Sequence, residues 1–373
     1  MKILYVTTIG LTMTFFKKLV RDLLDQGHTV DIMSNETSFP VPDCYREWNC
    51  EIYHHSCTRF PFAPENIKAI FQIRNLVEKN RYDIIHCHTP VAAMCTRLAC
   101  ISARKRGTKV FYTAHGFHFF KGAPLKNWLL YYPVEKICSY FTDVLITINQ
   151  EDFRLAQKKM KASRVEYVPG VGVDVDKFRN TQVDRKQKRA ELGIPENAAM
   201  LLSVGELNIN KNQQVIICAL AQLKDPNIHY VVVGIGNQAD ALKNLARELG
   251  VAQQVHFLGY RHDVAELCHT ADIFCFPSQR EGLGLAALEA MSCGLPLLTS
   301  NVHGINDYSE NGVTGFKYDP MDYKGFAEGI YKILQDDQLR LKMGEHNKER
   351  VMQFSLENAL ERMNTFYSEK IDM

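Results

Sequence analysis

The sequence predicts an α/β fold made of two Rossmann-like, doubly wound parallel-sheet domains that face each other across a cleft. Short β-branched segments alternate with longer helical patterns along the chain, which is typical of parallel sheets covered by helices. In addition, 373 residues exceed what one hydrophobic core usually supports. We therefore expect ligands at the carboxyl ends of the strands, in the cleft.

The first series of strands and helices fills residues 1–175. Its expected strands are KILYVTT, TVDIMS, DIIHCH, KVFYTAH and DVLITIN, and its first helix is expected from about Thr14 to Gln26. Pro169, Gly170 and Gly172 then interrupt the alternation in VPGVGVDVDKF, which predicts a linker near residue 175.

The second series fills residues 176–354. A charged helix from Asp184 to Leu192 is expected first. The predicted strands that follow are AMLLSVGEL, HYVVVGIG, QVHFLGY, IFCFPS and PLLTS.

The composition is that of a soluble globular protein, with 46% apolar and 23% charged residues. The apolar runs are far shorter than the roughly 20 residues of a membrane span, and MKILYVTTIG is typical of a buried strand and not of a signal peptide. The eleven cysteines are scattered without paired spacing, which favours reduced, buried thiols. We therefore expect a cytoplasmic protein.

The charge is unevenly distributed. Residues 1–175 carry 23 Lys and Arg against 16 Asp and Glu, a net +7, and the remaining residues carry 21 against 26, a net −5. The first half should therefore face an anion, which charge alone leaves open as nucleic acid, an acidic membrane or a phosphorylated substrate. No interleaved aromatic and basic motif appears, which disfavours nucleic acid.

The segment SQREGLGLAALEAMSCGLPLLTS carries the clearest chemistry. Gly282 and Gly284 let the backbone approach a ligand, and the following helix, which Gly294 should end, directs its unpaired N–H groups to the same place. A carboxylate repels phosphate, so Glu281 and Glu289 are better suited to hydroxyls on either side of a diphosphate. The pattern indicates a nucleotide sugar; the alternative is two surface glutamates on an ordinary helix.

This Glu, seven residues, Glu arrangement resembles the signature of retaining glycosyltransferases of family 4, which have the GT-B fold. The resemblance extends over nearly the whole chain, in order, through the Gly10 loop, TAHG, VPGVGVD, VGELNINKN, VVVGIG, VHFLGY and NGVTGF. It implies that a helix from about residue 355 to 373 crosses back to the first domain.

The resemblance also implies roles in donor binding. Glu281 would bind hydroxyls of the donor sugar, and Glu289 those of the ribose. The amides around Leu283 to Leu285 would bind the diphosphate, and Lys211 would pair with its oxygens. Catalysis would then rest on electrostatic stabilisation of the leaving diphosphate, with no metal or other cofactor required.

Other implied contacts come from other parts of the chain. Tyr260 and Arg261 would lie against the nucleobase, His115 would reach the donor sugar and the reacting centre, and Gly10 would let the first loop pass close to donor or acceptor.

One position departs from the family pattern. Related enzymes usually carry arginine where this chain has Glu206, so Lys211 would neutralise the diphosphate alone. His118 and Lys121 are possible compensating groups. Glutamate at this position, together with the TAHGFHFFKGAP segment, resembles a branch of the family that assembles bacterial capsules and exopolysaccharides.

The resemblance thus implies a hexosyl- or N-acetylhexosaminyl-transferase that uses a nucleoside diphosphate sugar, with a UDP-sugar favoured, and a glycan or polyprenyl-diphosphate-linked acceptor. Anomeric configuration would be retained, since the acceptor would attack from the face that the diphosphate leaves. The alternatives are a nucleotide-sugar epimerase or hydrolase on the same fold, and a non-catalytic sugar-nucleotide-binding regulatory subunit.

Three further motifs are given structural interpretations. His86-Cys87-His88 ends a strand without a second ligand pair at zinc spacing. GIGNQA resembles a dinucleotide fingerprint, but the next strand ends without the acidic residue that would hold an NAD ribose. Asp174-x-Asp176 is expected to form a turn or to cap the next helix.

The segment HGFHFFKGAPLKNWLLYYPVEK, residues 115–136, mixes aromatic residues with lysines. It predicts either a helix packed on the first domain or an amphipathic surface that contacts an anionic membrane or a lipid-linked acceptor. In the second case Lys126, Trp128 and Leu129 would carry the contact.

Overall fold

Residues 1–368 are described by the structure, a computed structural model. They form two α/β units. The first comprises Met1–Val171 together with the described residues from Ala359 onward, and the second comprises Gly172–Asn358. The last five residues of the predicted C-terminal helix lie outside the described part of the chain. Among residues 1–368, no helix has the length and apolar character to cross a membrane.

The first unit contains a parallel sheet of seven strands in the order β3-β2-β1-β4-β5-β6-β7. Its elements are β1 (Lys2–Ile9), a 3-10 helix (Gly10–Phe16), α1 (Lys17–Asp25), β2 (Thr29–Asn35), α2 (Cys44–Glu47), β3 (Ile52–His54), α3 (Glu65–Asn80), β4 (Ile84–His88), α4 (Pro90–Ala99), α5 (Ile101–Arg104), β5 (Lys109–Ala114), α6 (Leu125–Ser139), β6 (Val144–Thr147), α7 (Gln150–Lys159) and β7 (Arg164–Tyr167).

The second unit contains a parallel sheet of six strands in the order β10-β9-β8-β11-β12-β13. Its elements are α8 (Val175–Arg179), α9 (Arg185–Glu191), β8 (Ala199–Val204), α10 (Gln214–Leu223), β9 (Ile228–Val233), α11 (Ala239–Glu248), a 3-10 helix (Ala252–Gln254), β10 (Val255–Gly259), α12 (Val264–Thr270), β11 (Ile273–Phe276), α13 (Leu285–Ser292), β12 (Leu297–Ser300), a 3-10 helix (His303–Asp307), β13 (Gly315–Tyr318), α14 (Tyr323–Gln335), α15 (Asp337–Arg350), a 3-10 helix (Val351–Phe354) and the first part of α16 (Leu356–Ser368).

Both sheets confirm the prediction of doubly wound parallel sheets, and all ten predicted strands are present. Three strands, β3, β7 and β13, were not predicted, and each of them lies at the edge of its sheet. These strands are short and mostly half-buried, so they lack the continuous apolar run that marks a central parallel strand.

Two helix predictions have different outcomes. The prediction that the first α-helix starts at about Thr14 is wrong by about one turn, because residues 10–16 form a 3-10 helix and α1 begins at Lys17. The expectation for Asp174 is confirmed, since its side chain accepts a 3.0 Å hydrogen bond from the backbone N–H of Lys177 and caps α8.

The end of α16 belongs to the core of the first unit. Ala359, Met363, Phe366 and Tyr367 are buried in the same apolar cluster as Tyr5 on β1. The Tyr367 hydroxyl also lies 2.6 Å from His86 Nδ1 on β4. A segment from the far end of the sequence therefore covers one face of the first sheet.

Candidate active site

The second unit has an ion pair at the carboxyl ends of two neighbouring strands. Lys211 lies in the loop after β8, and Glu281 lies in the loop after β11; these strands are paired in the sheet. The Lys211 ammonium forms a salt bridge with the Glu281 carboxylate and lies 4.8 Å from the centre of the Phe276 ring. Two of the predicted donor-site residues are therefore in direct contact, although 70 positions separate them.

Hydrogen bonds to backbone carbonyls hold these two loops together. The Gln279 N–H donates to the Asn210 carbonyl at 2.7 Å, and the Asn210 side-chain amide donates to the Arg280 carbonyl at 2.9 Å. One residue beyond Lys211, buried Asn212 donates to the Pro277 carbonyl at 3.0 Å. The ion pair thus sits on a backbone that is fixed on both sides.

Glycines are required for steric reasons in the loop before α13 and in the 3-10 helix (His303–Asp307) that packs against it. Gly284 has a φ of +95°, and a β-carbon there would lie 2.5 Å from the Phe276 ring. A β-carbon on Gly304 would lie only 1.9 Å from the Gly282 carbonyl oxygen. The amides from Gly282 to Leu285 therefore belong to a closely packed loop at the N-terminus of α13, an arrangement suited to an anion.

Glu289 lies one turn further along α13 and is half-buried. Burial raises the pKa of its carboxyl to about 7, although Lys177 acts in the opposite direction. A perturbed carboxyl that faces away from bulk water is typical of a functional position.

The remaining predicted donor-site residues are more exposed. The side chains of Glu206 and Tyr260 face solvent. Arg261 is held at 2.8 Å by Asp263 and at 2.9 Å by Glu191, which raises its pKa. Its guanidinium would have to leave these carboxylates before it could contact a nucleobase.

In the first unit, His115 follows β5 and lies beside His88 at the end of β4. The His88 Nδ1 and His115 Nε2 atoms are 3.3 Å apart, and the His86 and His88 rings are tilted by 37° with centres 4.1 Å apart. Burial lowers the pKa of His115 to about 4 and that of His86 to about 3, and it also lowers the pKa of His88. All three imidazoles are therefore neutral at pH 7.

His86 and His88 were not predicted to lie beside His115. His86 is fixed by the Tyr367 hydroxyl and, at 2.8 Å, by the Thr113 hydroxyl. His86 and His88 are two residues apart at the end of one strand, next to the strand that ends in TAHG. This spacing was the sequence signal that could have placed them beside His115. Within residues 1–368, no group of three His, Cys, Asp or Glu side chains is arranged to hold a metal ion.

Two other glycines have structural roles. A β-carbon on Gly10 would lie 2.3 Å from the Val41 backbone nitrogen, so the 39–41 segment already requires glycine there. In the GIGNQA segment, a β-carbon on Gly236 would lie 2.2 Å from the Leu207 carbonyl oxygen. Close backbone packing accounts for both positions without a ligand.

Family models match most of the chain, one in each half. The model described as "Glycosyl transferase 4-like" matches residues 2–149, and the model described as "Glycosyl transferases group 1" matches residues 184–350. The chain belongs to the GT4-type glycosyltransferases. This confirms the predicted family and the predicted transferase activity.

Curated relatives agree with this assignment. EpsD of Bacillus subtilis (strain 168), provisionally named as a glycosyltransferase, is 38% identical over 93% of this chain and 91% of its own length. The Escherichia coli enzyme named UDP-Gal:alpha-D-GlcNAc-diphosphoundecaprenol alpha-1,3-galactosyltransferase is 28% identical over 83% of this chain and 80% of its own.

Solved structures of GT-B glycosyltransferases share the fold. Anabaena HepE in complex with UDP matches with a TM-score of 0.80 at 21% identity, covering 99% of this chain and 100% of its own. WaaG, a glycosyltransferase involved in lipopolysaccharide biosynthesis, matches with a TM-score of 0.77 at 21% identity, covering 97% of this chain and 98% of its own. The predicted GT-B fold is confirmed.

Proposed function

We propose that this glycosyltransferase moves a sugar from a UDP-sugar to a hydroxyl of a polyprenyl-diphosphate-linked glycan, with retention of anomeric configuration, during cell-surface polysaccharide assembly. The observation that carries the donor proposal is the Lys211–Glu281 ion pair directly before the N-terminus of α13. HepE, which shares the fold, has been solved with UDP and with UDP-glucose, and this supports the choice of nucleotide.

The ion pair suggests how the donor is received. When the diphosphate enters, Lys211 exchanges its carboxylate partner for the phosphate oxygens, and the amides of the loop before α13 bind the same group. Glu281 is then released to accept hydrogen bonds from hydroxyls of the donor sugar. Both partners of the ion pair thereby acquire a new partner, which limits the cost of separating them.

The same charges favour the transition state. As the bond to the diphosphate breaks, negative charge grows on the leaving oxygen, where the Lys211 ammonium and the loop amides interact with it more strongly than in the ground state. The acceptor hydroxyl attacks from the face that the diphosphate leaves and transfers its proton to a phosphate oxygen. Configuration at the sugar carbon is retained without a protein nucleophile.

Two other side chains orient the donor in this proposal. Glu289 accepts hydrogen bonds from the ribose hydroxyls. His115, neutral at pH 7 because of its lowered pKa, exchanges hydrogen bonds with the sugar and adds no positive charge to the reacting centre. Glu206 and Arg261 remain predicted donor contacts, and Arg261 requires a change of partner.

The choice of acceptor rests on the relatives. The Escherichia coli relative is named for an acceptor with a sugar on diphosphoundecaprenol, and WaaG for lipopolysaccharide biosynthesis. The positive balance of the first half of the chain suits a diphosphate-bearing lipid or an anionic membrane.

Helix α6 offers apolar side chains for a peripheral membrane contact. Leu125 and Leu129 are 73% and 68% exposed, and Lys126 lies between them. Trp128 is half-buried and packs against the first-unit core, so Leu125 and Leu129 present more apolar surface than Trp128 does. Leu129→Ser should reduce flotation with anionic vesicles, whereas the equally exposed Leu341→Ser in the second unit should not; equal flotation of both variants and wild type would remove the membrane contact from the proposal.

The decisive experiment measures release of nucleoside diphosphate from UDP-, GDP- and ADP-sugars, with and without bacterial membrane lipid extract. Wild type should release UDP only when the lipid is present, and Glu281→Ala should release little. Equal release without lipid would indicate a hydrolase or epimerase. Binding of the donor without turnover would indicate a regulatory subunit.

A further inference from the structure

The first unit contains a pocket of about 370 Å³ that no assigned activity uses. Ligand pockets commonly measure roughly 300–1,000 Å³. Most of its wall is hydrocarbon, contributed by α4, α6 and the chain segments after β3 and β5. The apolar lining includes Phe60, Phe62, Val91, Met94, Phe119 and Leu130.

The inner wall also contains one carboxylate, but its charge is neutralised. Glu135 accepts a 2.9 Å hydrogen bond from buried Arg97 and a 3.1 Å hydrogen bond from the Tyr112 hydroxyl. The Arg97 guanidinium lies 4.1 Å from the centre of the Tyr112 ring. This balanced cluster leaves the interior without net charge, so the pocket favours an uncharged, apolar occupant.

The rim differs from the interior. Phe60 and Phe62 are 64% and 66% exposed, and their rings contact each other edge to face. Two neighbouring exposed aromatic side chains at a pocket entrance are typical of a binding surface. Arg59 is also exposed and lines the same pocket, so a cation accompanies the apolar rim. The combination suits an anionic head group with a hydrocarbon tail.

The pocket lies close to His115 along the chain. Gly116, Phe117 and His118, the three residues after His115, all line it. A ligand in the pocket therefore contacts the segment that directly follows His115, the residue that the proposed mechanism assigns to the donor sugar.

We propose that this pocket binds the first isoprene units of the lipid-linked acceptor, with Arg59 on its diphosphate. The inference rests on the proposed function, which supplies the prenyl diphosphate as the acceptor's carrier. The pocket is too small for a long polyprenyl chain, so the remaining units extend past the Phe60 and Phe62 rim. The pocket thereby distinguishes prenyl-linked acceptors from free glycans.

Farnesyl diphosphate is the probe that tests the proposal. Its binding to the full chain is measured by titration calorimetry with saturating UDP present, so that the diphosphate is excluded from the donor site. The variants are Met94→Trp, which fills the pocket, and the double variant F60S/F62S, which removes the rim. Phe71→Ser is the matched control, because Phe71 is 58% exposed on α3 and is not part of the pocket lining.

We expect wild type and Phe71→Ser to bind farnesyl diphosphate equally, F60S/F62S to bind it about tenfold more weakly, and Met94→Trp to bind it at least as poorly. Inorganic diphosphate should bind weakly and equally to all four proteins. Equal farnesyl diphosphate affinities across the set, or inorganic diphosphate binding as tightly as the farnesyl form, would overturn the proposal.

UDP binding is measured separately and should be the same in all four proteins. Failure of wild type to bind UDP would refute the proposed donor, and the comparison with inorganic diphosphate would then separate binding of the prenyl chain from binding of the diphosphate. Loss of vesicle flotation in F60S/F62S with unchanged farnesyl diphosphate binding would make the rim a membrane contact and overturn the assignment of the pocket.

Discussion

The carboxyl of Glu289 should destabilise the free protein at neutral pH, and Glu289→Gln should reveal this. Burial raises its pKa from an ordinary value of 4.5 to about 7. The folded protein therefore keeps the proton up to about pH 7, whereas the unfolded chain releases it above 4.5. Because the folded state binds more protons in this interval, the contribution of Glu289 to stability falls as the pH rises from 4.5 to 7 and stays low above 7.

The size of the effect follows from the difference between the two pKa values. Each unit corresponds to about 1.4 kcal/mol, and part of the cost is already present at pH 5. Between pH 5 and pH 8 the free energy of unfolding of the wild type should fall by about 2–3 kcal/mol relative to that of Glu289→Gln. Glutamine has the same shape and does not titrate, so shape effects cancel in the comparison between pH values.

Urea unfolding followed by circular dichroism at pH 5, 6, 7 and 8 measures this difference. Glu248→Gln, which removes an exposed carboxylate from α11 in the same unit, is the control and should show little pH-dependent change. A stability difference between wild type and Glu289→Gln that does not vary with pH would refute the argument. If Glu289 also binds the ribose, the more stable variant should bind UDP about tenfold more weakly.

Three further outcomes are expected. Lys211→Met should lower kcat for sugar transfer by about 100- to 1,000-fold, measured as UDP release, while Lys211→Arg keeps part of the activity; unchanged kcat in Lys211→Met would contradict its role in stabilising the leaving diphosphate. Gly304→Ala should destabilise the protein by about 2–4 kcal/mol in thermal unfolding, because its β-carbon would overlap the Gly282 carbonyl, and an unchanged Tm would contradict this. The pKa of His115, about 4, predicts no imidazole titration in kcat/KM between pH 6 and 8; a step near pH 6.5 that disappears in His115→Gln would disprove it.

The central strands of both sheets could be predicted from the sequence because they are buried on both faces. The segment that forms β9 (Ile228–Val233), for example, is buried throughout and is apolar except for His229. β3, β7 and β13 could not be predicted in the same way, since an edge strand gains its hydrogen bonds from one neighbour and needs little apolar sequence. The sequence pattern therefore predicts the centre of each sheet better than its edges.

The candidate site was predictable in part for a similar reason. Glu281, the glycines and Glu289 are close in sequence, so their shared position around one helix N-terminus follows from local rules. The contact between Lys211 and Glu281 depends on two loops that are joined by hydrogen bonds to backbone carbonyls, and such pairing leaves no periodic signal. The partner of His86 is likewise a tyrosine far along the chain.

The position of Tyr367 has a consequence for the order in which the protein is made. During translation, β1 and β4 of the first unit emerge early, but the side chains that cover Tyr5 and His86 emerge only after the whole of Gly172–Asn358 has been synthesised. The nascent first unit therefore keeps an apolar face open while the ribosome completes the second, and it remains a substrate for chaperones and proteases throughout that interval. Slower translation of the second unit should lengthen this exposure and lower the yield of native enzyme.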